Sequence, residues 1–191
     1  MKSEKPVILA ITGASGAIYG LRTLEVLKEL SYPVHLILSP VGRRILAEET
    51  GTNPEEILQK ADRWYQPDDL NAPIASGSFA TRGMLIVPCS IKTLSGVANS
   101  YTENLIQRAA DVCLKEGRPL LLGVRETPLH AGHLRLMSQA ASAGAIIFPP
   151  IPSFYHSPQN INDIIDTTVG RMLARIGIHN QLFRAWDGKA K

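Results

Sequence analysis

The chain has 191 residues, 45% hydrophobic and 19% charged, which is enough apolar material for a buried core and too much for a disordered segment. Its 20 basic and 17 acidic side chains are scattered and leave a net charge of +3, with no basic patch of the kind nucleic acid requires; the tightest pair, Arg43-Arg44, suits a solvated helix turn. Cys89 and Cys113 lie far apart outside any Cys-x-x-Cys pattern, so neither a zinc site nor a disulfide framework is signalled, and both read as reduced core residues of a cytoplasmic protein.

Lys2 and Lys5 precede an apolar run, but that run is too short for an export signal and passes at once into glycines. The first strand is predicted at 6–12, followed by "TGASGAIYG" and a helix over 15–30. A second strand at 33–39 leads into helices at 40–50 and 53–60. Asn53-Pro54-Glu55-Glu56 opens the latter, a cap and a proline with acids on the positive end of the helix dipole. Strands at 83–89, 119–125 and 144–149 alternate with helices at 101–116 and 130–143. A last helix near 159–176 carries Ile161, Ile164, Ile165, Val169, Met172, Leu173 and Ile176 at helical spacing.

The strands are nearly continuous apolar runs, as in parallel sheets covered on both faces. Their alternation with helices predicts an α/β fold with a doubly wound, mostly parallel sheet in a three-layer sandwich, flavodoxin-like or Rossmann-like, formed by residues 1–191 as a single domain. The uncharged stretch Leu136–Asn162 contains four prolines and cannot be a membrane helix.

In such sheets ligands sit beyond the carboxyl ends of the strands. The residues there are Gly13-Ala14-Ser15-Gly16, Ser39, Ser90-Ile91-Lys92-Thr93, Arg125-Glu126 and the run Pro149 to His156. Hydroxyls, backbone amides and an arginine suit a phosphate and a polar ring edge. The glycines are not spaced as Gly-x-Gly-x-x-Gly, and they also suit tight strand–helix packing alone. Nicotinamide dinucleotide enzymes place an acid at the end of the second strand, where this chain has Ser39, so a mononucleotide such as FMN fits better.

His130 and His133 are three apart with no evident third metal ligand and read as surface or capping residues. Asp68-Asp69 lacks the further spaced aspartates of a metal site and reads as a loop pair. Lys115-Glu116-Gly117-Arg118 suits a helix end, and Trp186 is either a packing anchor or an aromatic cover over a ligand.

The blocks "TGASGAIYG", "IASGSF", "PCSIKTLSG", "ENLIQRAADVCLKE", "PLLLGVRETPLH" and "FYHSPQ" closely resemble the flavin prenyltransferases of the UbiX type, over essentially the whole chain. The resemblance implies transfer of a dimethylallyl group from dimethylallyl monophosphate to N5 and C6 of reduced FMN. The product is the prenylated cofactor of UbiD-type decarboxylases, which serve ubiquinone synthesis or aromatic-acid breakdown. It implies a homododecamer with active sites at subunit junctions, to which the C-terminal helix and tail (about 159–191) contribute, and no metal.

Carried onto this chain, the flavin contacts fall on Gly13, Ala14, Ser15, Ser39, Ser90, Ile91, Lys92, Thr93 and Arg125. The allylic phosphate falls to Lys115, Arg108, Tyr155 and Arg171, some from neighbouring subunits. Glu126 takes the proton transfers with Ser15 nearby, and Trp186 lines the allyl pocket. Gly117, where relatives often carry arginine, and the Ile91-Lys92 pair depart from the family pattern.

The chemistry agrees with the composition. Without a clustered acidic metal site, Lys, Arg and Tyr donors must stabilise the departing phosphate, and preorganised donors can supply several kcal/mol. Developing allyl charge is met by π faces. Two rivals compete. An FMN-dependent decarboxylase of the related fold would need a catalytic histidine ahead of the central serine turn, yet no histidine lies between His35 and His130, and its Asn-containing substrate clamp is replaced by "RETPLHAGH". A non-catalytic flavin carrier would not need the second phosphate site.

Overall fold

Along β1 (Val7–Ile11) successive side chains enter two different cores, as the pleat of a strand buried on both faces requires. Val7, Leu9 and Ile11 join one cluster, Ile8 and Ala10 the other. In the computed structural model, which describes residues 5–184, 186 and 188, this strand lies inside a six-stranded, all-parallel sheet. The other strands are β2 (Val34–Leu38), β3 (Arg63–Tyr65), β4 (Gly83–Cys89), β5 (Leu120–Val124) and β6 (Ile146–Ile147), in the spatial order β3-β2-β1-β4-β5-β6. Val7 stands opposite Val34 on one side and Gly83 on the other.

The helices are α1 (Ala17–Glu29), α2 (Pro40–Thr50), α3 (Pro54–Lys60), α4 (Ile91–Ala98), α5 (Leu105–Lys115), α6 (Ala131–Ser142) and α7 (Ile161–Arg175). The first three and α7 cover the face that Leu9 enters, and α4, α5 and α6 cover the face that Ile8 enters. This is the doubly wound three-layer sandwich that the alternating pattern predicts.

Local chemistry starts most helices where they start. Ser39 Oγ accepts the Gly42 amide 2.9 Å away and Pro40 follows it, so α2 begins capped. Asn53 Oδ1 accepts the Glu55 amide at 3.0 Å, as its sequence context predicts. Asn160 and Asp163 form a reciprocal capping box at α7. That helix is held on α1 by Arg22, whose Nε donates to Asp166 at 2.6 Å and whose Nη1 reaches Glu29 at 2.9 Å. The Asp166 hydrogen bond pushes the Arg22 guanidinium above its ordinary range, so it stays charged.

The structure departs from expectation at four places. The helix expected over 101–116 begins only at Leu105, capped by Asn104 Oδ1 on the Gln107 amide. Ahead of it stands α4, capped by Ser90 and separated from α5 by Ser100 in a left-handed conformation (φ 52°). The short strand β3, with Arg63 and Trp64 exposed, carries no apolar run to betray it. The strand expected over 144–149 pairs at Ile146 and Ile147 only.

At the end of α5, Gly117 has φ 63°, its amide bonds to Leu114 O at 3.1 Å, and the Arg118 amide bonds to Cys113 O at 2.8 Å. This double closure needs a left-handed residue, and a Cβ there would meet nothing within 4 Å. Gly117→Arg is therefore expected to cost about 1 kcal/mol through the backbone alone. Urea unfolding should show a lower midpoint at an unchanged slope.

Candidate active site

The strand order turns round between β1 and β4, so the loops leaving these two strands diverge and open a cleft of about 590 Å³ at their carboxyl ends. The two strand ends are tied by Thr12, which is 1% exposed. Its hydroxyl donates to Pro88 O at 2.7 Å and accepts the Ser90 amide at 2.8 Å. The Arg125 amide donates to Cys89 O at 3.2 Å and brings the end of β5 to the same place.

Ten of the residues named from sequence meet in this cleft: Gly13, Ala14 and Ser15 after β1, Ser39 after β2, Ser90 to Thr93 after β4, and Arg125 with Glu126 after β5. Sequence reasoning passed over Thr12, Val41, Asn104 and Gln107, which share the wall. Gly13 lies so close to the first turn of α2 that a Cβ would sit 2.6 Å from Val41 Cγ1. A glycine there is what lets the loop lie flat against α2.

The start of α1 holds a surprise for the glycine motif. The amides of Gly16 and Ala17 donate to the carboxylate of Glu49 on α2, at 2.9 and 2.8 Å. A phosphate seated at this helix start would find its place taken by a side chain. The start of α4 is different. Ser90 Oγ accepts the Thr93 amide at 3.4 Å, and the amides of Ile91 and Lys92, as first-turn donors, have no intrahelical partner. Both residues line the cleft, whereas Gly16 and Ala17 do not.

Lys92 stands at the rim, 77% exposed, with Glu103 3.3 Å away. Such an exposed pair is worth little and leaves the ammonium free to follow an anion. Glu126 is exposed, and its Oε1 accepts the amide of Thr127 at 3.0 Å, which orients the carboxylate from its own loop. Gln107 is buried, with Oε1 on the Glu103 amide at 2.9 Å.

A second concavity of about 420 Å³ is walled by Tyr155, Arg171, Phe183, Arg184 and Trp186. The Tyr155 and Trp186 rings meet edge to face with centroids 5.7 Å apart, and the Arg171 guanidinium lies 5.8 Å from the Phe148 ring. Three of the sequence-named residues thus come together here, and Phe183 and Arg184 are added.

Arg108 and Lys115 join neither group within one chain. Both lie along α5, where Arg108 bonds Ala75 O and Asp111 at 3.1 Å each, and Lys115 Nζ bonds Glu116 at 2.7 Å. That hydrogen bond holds the Glu116 carboxyl below its usual range. Lys115 packs on the "IASGSF" block, 2.8 Å from where a Cβ of Gly77 would stand, and Arg118 donates to Gly77 O at 2.5 Å and Phe79 O at 2.8 Å.

The remaining candidates resolve simply. His130 caps α6 by accepting the Gly132 amide at 3.0 Å, as a capping role predicts, and its ring lies tilted against His133, centroids 3.6 Å apart. Burial pushes the thiols of Cys89 and Cys113 up to about 12 and about 11, so both are neutral core groups rather than nucleophiles. Among the described residues no group of three or more His, Cys, Asp or Glu side chains could hold a metal ion.

This geometry has close counterparts. The Flavoprotein family profile matches residues 1–173. A flavin prenyltransferase UbiX from Escherichia coli (strain K12) is 53% identical over 187 residues, 96% of this chain and 99% of the relative. AnUbiX, solved in complex with FMN and dimethylallyl pyrophosphate, superposes with a TM-score of 0.95 at 42% identity, covering 97% of this chain and 98% of that one. A dodecameric FMN-dependent UbiX-like decarboxylase from Escherichia coli O157:H7 gives a TM-score of 0.93 at 39% identity over 96% of this chain and all of its own. With likeness running the length of both sequence and fold, the chain belongs to the UbiX-type flavin prenyltransferase family of flavoproteins.

Proposed function

We propose that this chain transfers a dimethylallyl group from dimethylallyl monophosphate to N5 and C6 of reduced FMN. The observation that carries the reading is the pairing of a hydroxyl- and amide-lined cleft with a separate pocket of arginines and aromatic rings. One suits a flavin mononucleotide and the other an allylic phosphate.

The cleft fits FMN on chemical grounds. Ser15, Ser39, Ser90 and Thr93 offer hydroxyls for a ribityl chain, the amides of Ile91 and Lys92 offer a phosphate seat at the start of α4, and Lys92 and Arg125 add charge. Reduced FMN, when bound, supplies the nucleophilic ring positions. The chain's own residues then have to manage charge and protons.

Tyr155 and Arg171, reaching the flavin cleft of a neighbouring subunit, hold the donor phosphate and neutralise its oxygens as the allylic C–O bond breaks and inorganic phosphate leaves. Arg108 and Lys115 lie on α5 outside both concavities, which supports their acting on the phosphate of a neighbouring subunit's site. Fixed donors of this kind can contribute several kcal/mol to the developing charge. Trp186 offers a π face to the developing allyl charge. Glu126, oriented by the Thr127 amide and sharing the cleft with Ser15, would take the N5 proton as the C–O bond breaks, return it to the allyl double bond so that C6 can attack, and pass the proton then lost from C6 to the departed phosphate.

The same reading makes the protein a homododecamer, with the C-terminal helix and tail at subunit contacts. Support comes from Ile151, Phe154 and Ile161, which are 74%, 67% and 75% exposed in one chain and apolar enough to seek cover. A UbiD-type decarboxylase receives the product in the cytoplasm. No helix among the described residues is long and apolar enough to cross a membrane.

Purified protein given reduced FMN and dimethylallyl monophosphate without oxygen should return a flavin heavier by one prenyl unit in mass spectrometry; unmodified FMN alongside an active control enzyme would reject the activity. Glu126→Gln is expected to bind FMN normally and lose about 10²- to 10⁴-fold in turnover. Normal turnover would remove the carboxylate from the proton route. Arg171→Ala should raise the donor KM by roughly 10-fold or more, the scale of one charge-assisted hydrogen bond, with FMN affinity retained. Equal loss of both would mean the pocket is not the donor's.

A further inference from the structure

Beyond α7 the chain turns back across the helix it has just left, and one side chain fastens the two together. Asn180 Nδ2 donates to Gly170 O at 2.9 Å and to Ile178 O at 3.2 Å, while Asn180 Oδ1 accepts the Leu182 amide at 3.2 Å. All three capacities used are local to the crossing. Gly170 sits in the interior of α7, where glycine is a poor helix former. Its reason is the crossing strap: a Cβ would lie 2.7 Å from Asn180 Oδ1, 2.9 Å from Leu182 Cβ and 3.0 Å from Phe183 Cδ1. Leu182 Cβ cannot swing aside without its backbone, so any side chain at 170 must lift the strap.

The residues next to this contact wall the second concavity. Arg171 follows Gly170, and Phe183, Arg184 and Trp186 follow Leu182. Asn180 does not line that pocket, yet the strap it fastens carries the aromatic side facing Tyr155. We propose that Gly170 and Asn180 form a latch that fixes the width of the Tyr155–Arg171 pocket, which makes Asn180 a positioning residue for the prenyl phosphate, acting through Phe183 and Trp186. The inference rests on the reading of this pocket as the donor site.

Two substitutions test it with opposite effects on the helix. Asn180→Ala removes the fastening; Gly170→Ala favours the helix but pushes the strap outward. Both are expected to raise the KM for dimethylallyl monophosphate by roughly five- to tenfold, the scale of one net hydrogen bond. Turnover and FMN affinity should stay within about twofold, while the Cβ forced against Leu182 should lower the thermal midpoint of Gly170→Ala by a few degrees. In a Trp64→Phe background, the emission of Trp186 should shift in both variants as its ring leaves Tyr155. If neither variant changes the donor KM while Arg171→Ala does, the latch has no part in binding and the donor site stands. If Arg171→Ala also leaves it unchanged, the donor-site reading itself falls. A parallel loss of FMN affinity, turnover and donor binding would overturn the latch as a mere packing contact. Should Asn180→Ala fail to fold, Gly170→Ala decides the question alone.

Discussion

The hydroxyl of Thr12 joins the ends of β1 and β4 at the one place where the sheet's strand order turns round. It is buried and uses both its donor and an acceptor lone pair, so a carbonyl and an amide that the diverging loops would otherwise strand are satisfied together. Leaving such groups unpaired costs about 1–3 kcal/mol each, more than the bond itself returns. The cleft can therefore open between two strands without loosening them. Ser90 is held by the same bond in the position from which it caps α4, so the donors of that helix inherit their direction from the residue that follows β1.

Charge is divided between two regions of different character. The cleft is lined mainly by short dipoles, hydroxyls and amides, with Lys92, Arg125 and Glu126 among them. The pocket beside α7 and the face of α5 rely on full cations with long stems, Arg171, Arg108 and Lys115. Within one chain the α5 cations are parked on nearby carboxylates, Asp111 and Glu116, at or near the surface. Exposed pairs of this kind are weak enough to be exchanged for a phosphate.

Much of this was legible in the residues. The apolar runs of β1, β2, β4 and β5 and the capped starts of α2, α3 and α7 depend on neighbours within a few positions, and they stand where local rules put them. The residues at the strand ends gather as the topology demands. What escaped depends on contacts between distant segments. The helix α4 begins directly from β4 in a Ser- and Gly-containing stretch with no polar gap to announce it. Glu49 reads as one more acid on an exposed helix face, and only the crossing of α2 over the glycine loop gives it partners. Tyr155 meets Trp186 because a strap folds back over α7, which no periodicity encodes. The placing of Arg108 and Lys115 in a shared site came from family resemblance, and one chain alone keeps them apart from Tyr155 and Arg171.

Glu49 also bears on what kind of ligand this fold admits. Two helices, α1 and α4, begin on adjacent strands about 4.8 Å apart, and each could offer amides to an anion. Were both open, they would make a double seat suited to the paired phosphates of a dinucleotide. One carboxylate from α2 closes the first seat with negative charge and leaves the second open. The acid missing at Ser39 withholds an attraction from a ribose hydroxyl, and the carboxylate of Glu49 sets negative charge where a phosphate at the start of α1 would stand.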